Sequence, residues 1–243
     1  MSSSTPFVSV IVPAYNEEKF IDRPLTSLAN QNYPKDKYEV IVVDNKSSDA
    51  TIEVAKKFHA RIIAEHFKGV SAARAAGFKA AKGDIIACTD ADAVLPPNWI
   101  ETFVKQFEKD PTLVAYGGLS NLTSGARSAQ FVWNHLIFLM YVIGRIFTGG
   151  DLLIGQNMAV RKEAYEKTGG FNPNLIQGED TDLAMKLHKI GKVKLNMNFK
   201  VKASGRRFKN GLIKGMSSYG PTFWGKIFLH RDIHQILPDF REE

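Results

Sequence analysis

The sequence predicts an α/β fold: a mainly parallel central sheet flanked by helices, forming a single domain in two lobes. Three observations predict it. Short apolar runs alternate with helical stretches through the first half of the chain, the pattern of a parallel sheet covered on both faces. Several of these runs end on carboxylates, as strands do when they carry polar groups to the ligand-binding edge of an open sheet. The length of 243 residues and the apolar fraction of 44% suit one sizeable core.

The elements follow in order. Phe7-Val8-Ser9-Val10-Ile11-Val12-Pro13 reads as a first buried strand. Residues 17–31 read as a helix, with Pro24 either kinking it or marking its true first turn. Tyr38-Glu39-Val40-Ile41-Val42-Val43-Asp44 is a β-branched second strand ending on an acid, and Ser47-Ser48-Asp49 caps a helix over 50–58. A short third strand at 61–64 precedes an Ala-rich helix over 70–81, stopped by Gly83. The fourth strand, 84–89, leads into Asp90-Ala91-Asp92. A helix follows Pro96-Pro97 to about residue 109. Beyond it the sequence predicts a strand at 113–119, a very apolar helix at 124–147 and an extended stretch at 152–161. Short helices follow at 162–167 and 181–190. The last strand, 192–202, alternates Lys with apolar residues, as a half-buried edge strand does. One domain in two halves is expected, 1–95 as the half that would take a nucleotide at its strand ends and 96–207 as the acceptor and catalytic half, followed by a basic, aromatic C-terminal segment at 208–243.

Composition narrows the partners. The net charge is +7, and from residue 184 onward 13 Lys or Arg face 4 Asp or Glu. A basic C-terminal quarter points to an anionic partner. No nucleic-acid-binding motif accompanies it, so phosphates of a nucleotide or lipid headgroups are the expected partners and nucleic acid is not. The single cysteine, Cys88, lies in an apolar strand and reads as a core residue. Met1-Ser2-Ser3-Ser4-Thr5-Pro6 carries no secretory signal pattern. The longest apolar run, 131–147, contains Asn134, His135 and Arg145. Its uninterrupted part is shorter than the ~20 residues a bilayer span needs, so a buried or interfacial helix is expected. The segment with Phe223, Trp224, Ile227 and Phe228 among Lys214, Lys226 and Arg231 reads either as an interfacial helix on an anionic membrane or as a core helix at the sheet edge. His230 and His234 have metal-ligand spacing but no Glu between them, and carry no zinc site here.

The residues with chemistry gather at one edge. In a parallel sheet, the loops after strands one, two and four lie side by side. They hold Pro13-Ala14-Tyr15-Asn16-Glu17, Asp44 and Asp90-Ala91-Asp92. Two carboxylates one residue apart suit a hard divalent cation that also binds substrate phosphates. Gln177-Gly178-Glu179-Asp180 opens a helix, where an acid serves either as a cap or as a catalytic group. Ser204-Gly205-Arg206-Arg207 offers guanidinium groups for a diphosphate, one of the two being expected to act, or else a solvated basic loop. Lys68 and Arg74 flank the loop after the third strand.

Taken in order, these segments resemble the family 2 glycosyltransferases. The resemblance runs from about Val8 to about Arg207. It rests on Val10-Ile11-Val12-Pro13-Ala14-Tyr15-Asn16-Glu17-Glu18, Val42-Val43-Asp44-Asn45-Lys46-Ser47-Ser48-Asp49 and Gly69-Val70-Ser71-Ala72-Ala73-Arg74-Ala75-Ala76-Gly77. It continues through Thr89-Asp90-Ala91-Asp92, Gly169-Gly170-Phe171 and Gly178-Glu179-Asp180-Thr181-Asp182-Leu183. It implies the Rossmann-like GT-A fold and an inverting transfer of a hexosyl unit from a UDP- or GDP-sugar to a hydroxyl of a glycan or lipid-linked acceptor. It implies Mn²⁺ or Mg²⁺ on Asp92 and Asp90, nucleoside contacts from Pro13 to Glu17 and from Asp44, and donor-side roles for Ala91, Lys68 and Arg74. Asp180 would be the catalytic base, Glu179 would sit beside it near the acceptor, and Arg206 or Arg207 would clamp the diphosphate. The implied location is cytoplasmic, peripheral on the membrane face through the basic C-terminus. Two departures stand out: Asn45 replaces an acid common at that place, and the Gln-x-x-Arg-Trp motif of processive synthases is missing. A polyprenyl-phosphate sugar synthase of the same family and a non-catalytic nucleotide-binding protein are the alternative readings.

Overall fold

The structure is a computed structural model and describes residues 5–209 and Ile213. The rest of the expected C-terminal segment, with His230 and His234, lies outside the described residues.

Seven strands form one sheet in the order β3-β2-β1-β4-β6-β5-β7. β1 (Val8–Ala14) is buried along its whole length, which is why its sequence is apolar on both faces. It pairs in parallel with β2 (Tyr38–Asp44) and β4 (Ile85–Cys88). β3 (Arg61–Ala64) extends the parallel set beyond β2. Cys88 is fully buried in β4, and burial pushes its thiol up to about 12.

The second half adds β5 (Leu113–Leu122), β6 (Met158–Arg161) and β7 (Lys192–Ala203). β6 runs antiparallel to both β4 and β5, while β7 is parallel to β5. The extended stretch expected at 152–161 is strand only from Met158 onward. Before it, Asn157 N donates to Ile154 O at 2.9 Å and turns the chain. β7 shows the expected alternation, with Lys194 and Lys202 on its wet face.

Helices cover both faces. One core layer packs α1 (Asp22–Ala29), α2 (Thr51–Lys56) and α4 (Trp99–Lys109) against the sheet. The other takes α3 (Val70–Ala80), α5 (Arg127–Thr148), α6 (Lys162–Lys167) and α7 (Glu179–Leu187). α1 begins at Asp22, later than the expected 17, because Glu17 O is taken by a tight turn to Phe20 N and Ile21 N. Pro24 therefore falls in the first turn, where its missing N–H costs nothing. α5 is an unbroken helix of 22 residues, long and apolar enough by length and composition to cross a membrane. Its inner stripe of Ala129, Trp133, Ile137 and Tyr141 is packed in the domain core.

Candidate active site

The loops after β1 and β2 are stitched together by bonds from backbone N–H groups to short polar side chains. Asn16 holds a left-handed conformation, φ 52°, that Asn tolerates well. Its Oδ1 accepts from Ser48 N at 2.8 Å, and its N–H donates to Ser47 Oγ at 3.0 Å. Glu17 N donates to Thr51 Oγ1 at 2.7 Å. Asp49 accepts from Glu18 N and Thr51 N. Burial raises its pKa, but the Thr51 hydroxyl and these N–H groups outweigh burial and hold it below the usual range. Asp44 is buried at the end of β2, with Oδ1 accepting from Ser47 N at 3.2 Å. Asn45 faces the other way. It donates to Glu65 O and Phe67 O and accepts from Gly69 N, so the amide fastens the loop between β3 and α3. An acid there could not donate those two bonds. Lys68, on that loop, stacks over the Tyr15 ring at 4.8 Å. Pro13 and Ala14 are buried in β1 below.

The acid pair follows β4. Ala93 N donates to Asp90 O, closing a turn that sets both carboxylates on the carboxyl edge, with Ala91 buried between them. Two guanidinium groups organise them. Arg74 of α3 is buried and bridges Asp90, at 2.7 Å, to Glu179 of α7. Arg206, in a 3-10 turn after β7, binds Glu17 through two bonds of 2.8 and 2.6 Å. The same Arg206 reaches Asp92 at 3.3 Å. Arg207 acts on Asp92 as well, weakly lowering its pKa. Asp90, Asp92 and Glu17 thus gather at the carboxyl edge, with Arg74, Arg206 and Arg207 against them and the buried Glu179 behind Arg74. Burial, together with the charges of Asp90 and Glu17, pushes the Asp92 pKa up to about 6, against the pull of Arg206. Two carboxylates one residue apart suit a divalent cation, which Asp92 and Asp90 would hold and which would add positive charge beside a diphosphate.

α7 brings the third group. Gly178, at φ 72°, makes the left-handed turn that starts it. Asp180 is half-buried, with Oδ2 accepting from Gly155 N at 3.0 Å and Oδ1 from Thr181 N at 2.7 Å. Glu179 is buried and bound to Arg74, so it faces α3 and not the solvent beside Asp180. Burial and the charge of Asp180 raise its pKa, although Arg74 pulls it down. Gly155 went unmarked in the sequence. A Cβ on it would overlap the Arg74 guanidinium. Its only trace is a glycine closing the apolar run Leu152-Leu153-Ile154.

Residues 9–169 match the family described as glycosyl transferase family 2. The chain is a family 2 glycosyltransferase. Glycosyltransferase AglE of Haloferax volcanii is 32% identical over 187 residues, covering 74% of this chain and 60% of AglE. This glycosyltransferase thus spans less than two thirds of that relative's length. A Methanococcus voltae protein is 28% identical over 242 residues, covering 88% of this chain and 72% of that protein. It is named dolichyl N-acetyl-alpha-D-glucosaminyl phosphate 3-beta-D-2,3-diacetamido-2,3-dideoxy-beta-D-glucuronosyltransferase. Mannosyltransferase PcManGT from Pyrobaculum calidifontis, solved in complex with GDP-Man and Mn²⁺, superposes with a TM-score of 0.67 at 23% identity. The match covers 94% of this glycosyltransferase and 71% of that chain. That likeness fixes the fold, which is GT-A.

Proposed function

We propose that this glycosyltransferase moves a hexosyl unit from a UDP- or GDP-sugar to a hydroxyl of a glycan or lipid-linked acceptor, with inversion at the anomeric carbon. The observation that carries the reading is the crevice in which Asp90, Asp92, Glu17, Arg206 and Asp180 meet at one sheet edge. The loops of β1, β2 and β4 supply the donor half of the site. Pro13 to Glu17, with Asp44, line the nucleoside position, and Lys68 lies across Tyr15 at its rim. Asp92 and Asp90 would hold Mn²⁺ or Mg²⁺, which would supply positive charge to the leaving diphosphate. Arg206, held between Glu17 and Asp92, is the guanidinium placed to clamp that diphosphate.

The chain's own chemistry is a proton transfer. The acceptor oxygen attacks the anomeric carbon as the bond to the diphosphate oxygen breaks, and the diphosphate leaves with the electron pair. A carboxylate oxygen of Asp180 takes the hydroxyl proton. The two N–H groups from Gly155 and Thr181 fix that carboxylate, so it needs no reorientation in the transition state. Glu179 and Arg74 position α7 and touch neither substrate.

The deciding experiment is calorimetry of UDP, GDP, ADP, CMP and dTDP, with Mn²⁺ and then with excess chelator. One nucleotide binds only with metal, and Asp92→Ala abolishes that binding. Metal-independent binding to all or none of them rejects the donor reading. Asp180→Asn then lowers kcat by at least ~100-fold while nucleotide affinity holds. Retained turnover assigns instead a phosphate acceptor, which carries no proton to remove, and so a polyprenyl-phosphate sugar synthase.

A further inference from the structure

α5 turns an apolar face outward. Its inner stripe packs beside β5, and the opposite side presents Phe131, Phe138, Leu139 and Ile146. Phe131 is 62% exposed and Ile146 72%. A surface helix of a domain in water puts polar residues on that side. Seven of the twelve large apolar side chains exposed among the described residues lie on this one helix, so the exposure is a patch and not scatter.

The charges on the helix itself have one sign, and the one acid at its far end, Asp151, is paired with Arg145 at 3.3 Å. α5 contains no Asp or Glu, Arg127 opens it, and Arg145 lies near its end. The 3-10 turn Arg206–Phe208 docks on α5, with Phe208 against Trp133 at 5.3 Å. Ala126 N donates to Phe208 O at 3.1 Å, so the turn sets the exposed Lys209 beside the start of the helix, near Arg127. An apolar helical face rimmed by cations matches an anionic lipid surface, where the side chains enter the headgroup boundary and the cations meet the headgroups. Position supports the match. β5 runs parallel to β4 through their shared neighbour β6, so the end of β5, where α5 begins, is on the same edge as Asp90 and Asp92.

We propose that the outward face of α5 docks this glycosyltransferase on an anionic membrane surface, holding the carboxyl edge of the sheet at the bilayer. The inference rests on the lipid-linked acceptor reading and gives it a surface. It differs from an anchor through the C-terminal segment alone, because the contact lies on a helix built into the core.

The test is co-sedimentation of the full chain with vesicles of phosphatidylcholine containing half phosphatidylglycerol, and with phosphatidylcholine alone. Wild type partitions onto the anionic vesicles, and Phe131→Asp/Ile146→Asp lowers the partition coefficient at least ~10-fold. Both positions are exposed and outside the donor crevice, so the nucleotide isotherm and thermal unfolding stay as in wild type. Equal partition of both proteins overturns the proposal, as does failure of wild type to bind the anionic vesicles. Light scattering that shows a dimer which the double variant dissociates also overturns it, assigning the face to a second copy. Wild type that sediments with vesicles yet binds no nucleotide supports the surface and rejects the donor reading alone.

Discussion

Gly155 shows how closely the charged residues of the crevice are fitted. Its N–H fixes Asp180, and the missing side chain leaves room for the Arg74 guanidinium. Gly155→Ala forces that guanidinium away from Asp90 and Glu179. The expected cost is about 1–3 kcal/mol of stability. That corresponds to a Tm lowered by roughly 2–10 °C, read by calorimetry. Turnover falls further than the Tm shift accounts for, and a variant that unfolds like wild type refutes the account. The acids themselves were legible in the sequence, because an apolar run ending in Asp90-Ala91-Asp92 needs only local reading. Their partners were not. Arg74 and Glu179 are 105 positions apart, and nothing periodic links them. Asn45 stands out in the sequence only as a missing acid, whereas its side chain ties down residues 65–69.

At the scale of elements, α3 rides directly on β1 and β2, and one position decides how closely. A Cβ on Gly77 would lie 2.8 Å from Val43 Cγ2 and would overlap Ile11. Ala is normally the better helix former, by about 1 kcal/mol. Here the overlap prevails, since β1 and β2 are interior strands that cannot retreat. Gly77→Ala is therefore expected to lose about 1–3 kcal/mol, seen as a lower urea midpoint at unchanged slope. A raised midpoint would show that the sheet yields. The alternation of strand and helix was legible because interior parallel strands must be apolar on both faces. The direction of β6 was not, since it depends on how the chain returns after α5, and periodicity carries no sense of direction. The start of α1 was misplaced because a turn at Glu17 and a helix both read as polar residues before an apolar stripe.

The whole molecule is basic, yet its crevice is acidic, and the two act at different ranges. On the proposed function, the basic residues would attract an anionic donor from a distance, while the acids would hold the cation at contact. The pH response follows from Asp92, with its pKa pushed up to about 6 from an ordinary 3.8. The folded apo protein then binds more protons than the unfolded chain between those values. Stability contributed by Asp92 therefore falls as pH rises through this window. Asp92→Asn should match wild-type stability near pH 4 and exceed it by about 2–3 kcal/mol at pH 7 in chelator, measured by urea unfolding. Mn²⁺ affinity moves oppositely, weakening as pH drops through 6, because the ligand must be ionised. A flat Mn²⁺ titration from pH 5 to 8 would remove Asp92 from the metal site.

The lone cysteine gives this molecule a built-in clock. Cys88 sits in β4, two residues before Asp90, fully enclosed and with its thiol pushed up to about 12. In the native state an alkylating reagent finds neither access nor thiolate. Labelling of the unmodified chain therefore counts only the moments when the middle of the sheet comes apart. Added metal and nucleotide should slow that count in proportion to their hold on the neighbouring acids, which gives a reading of donor occupancy that requires no acceptor and no turnover.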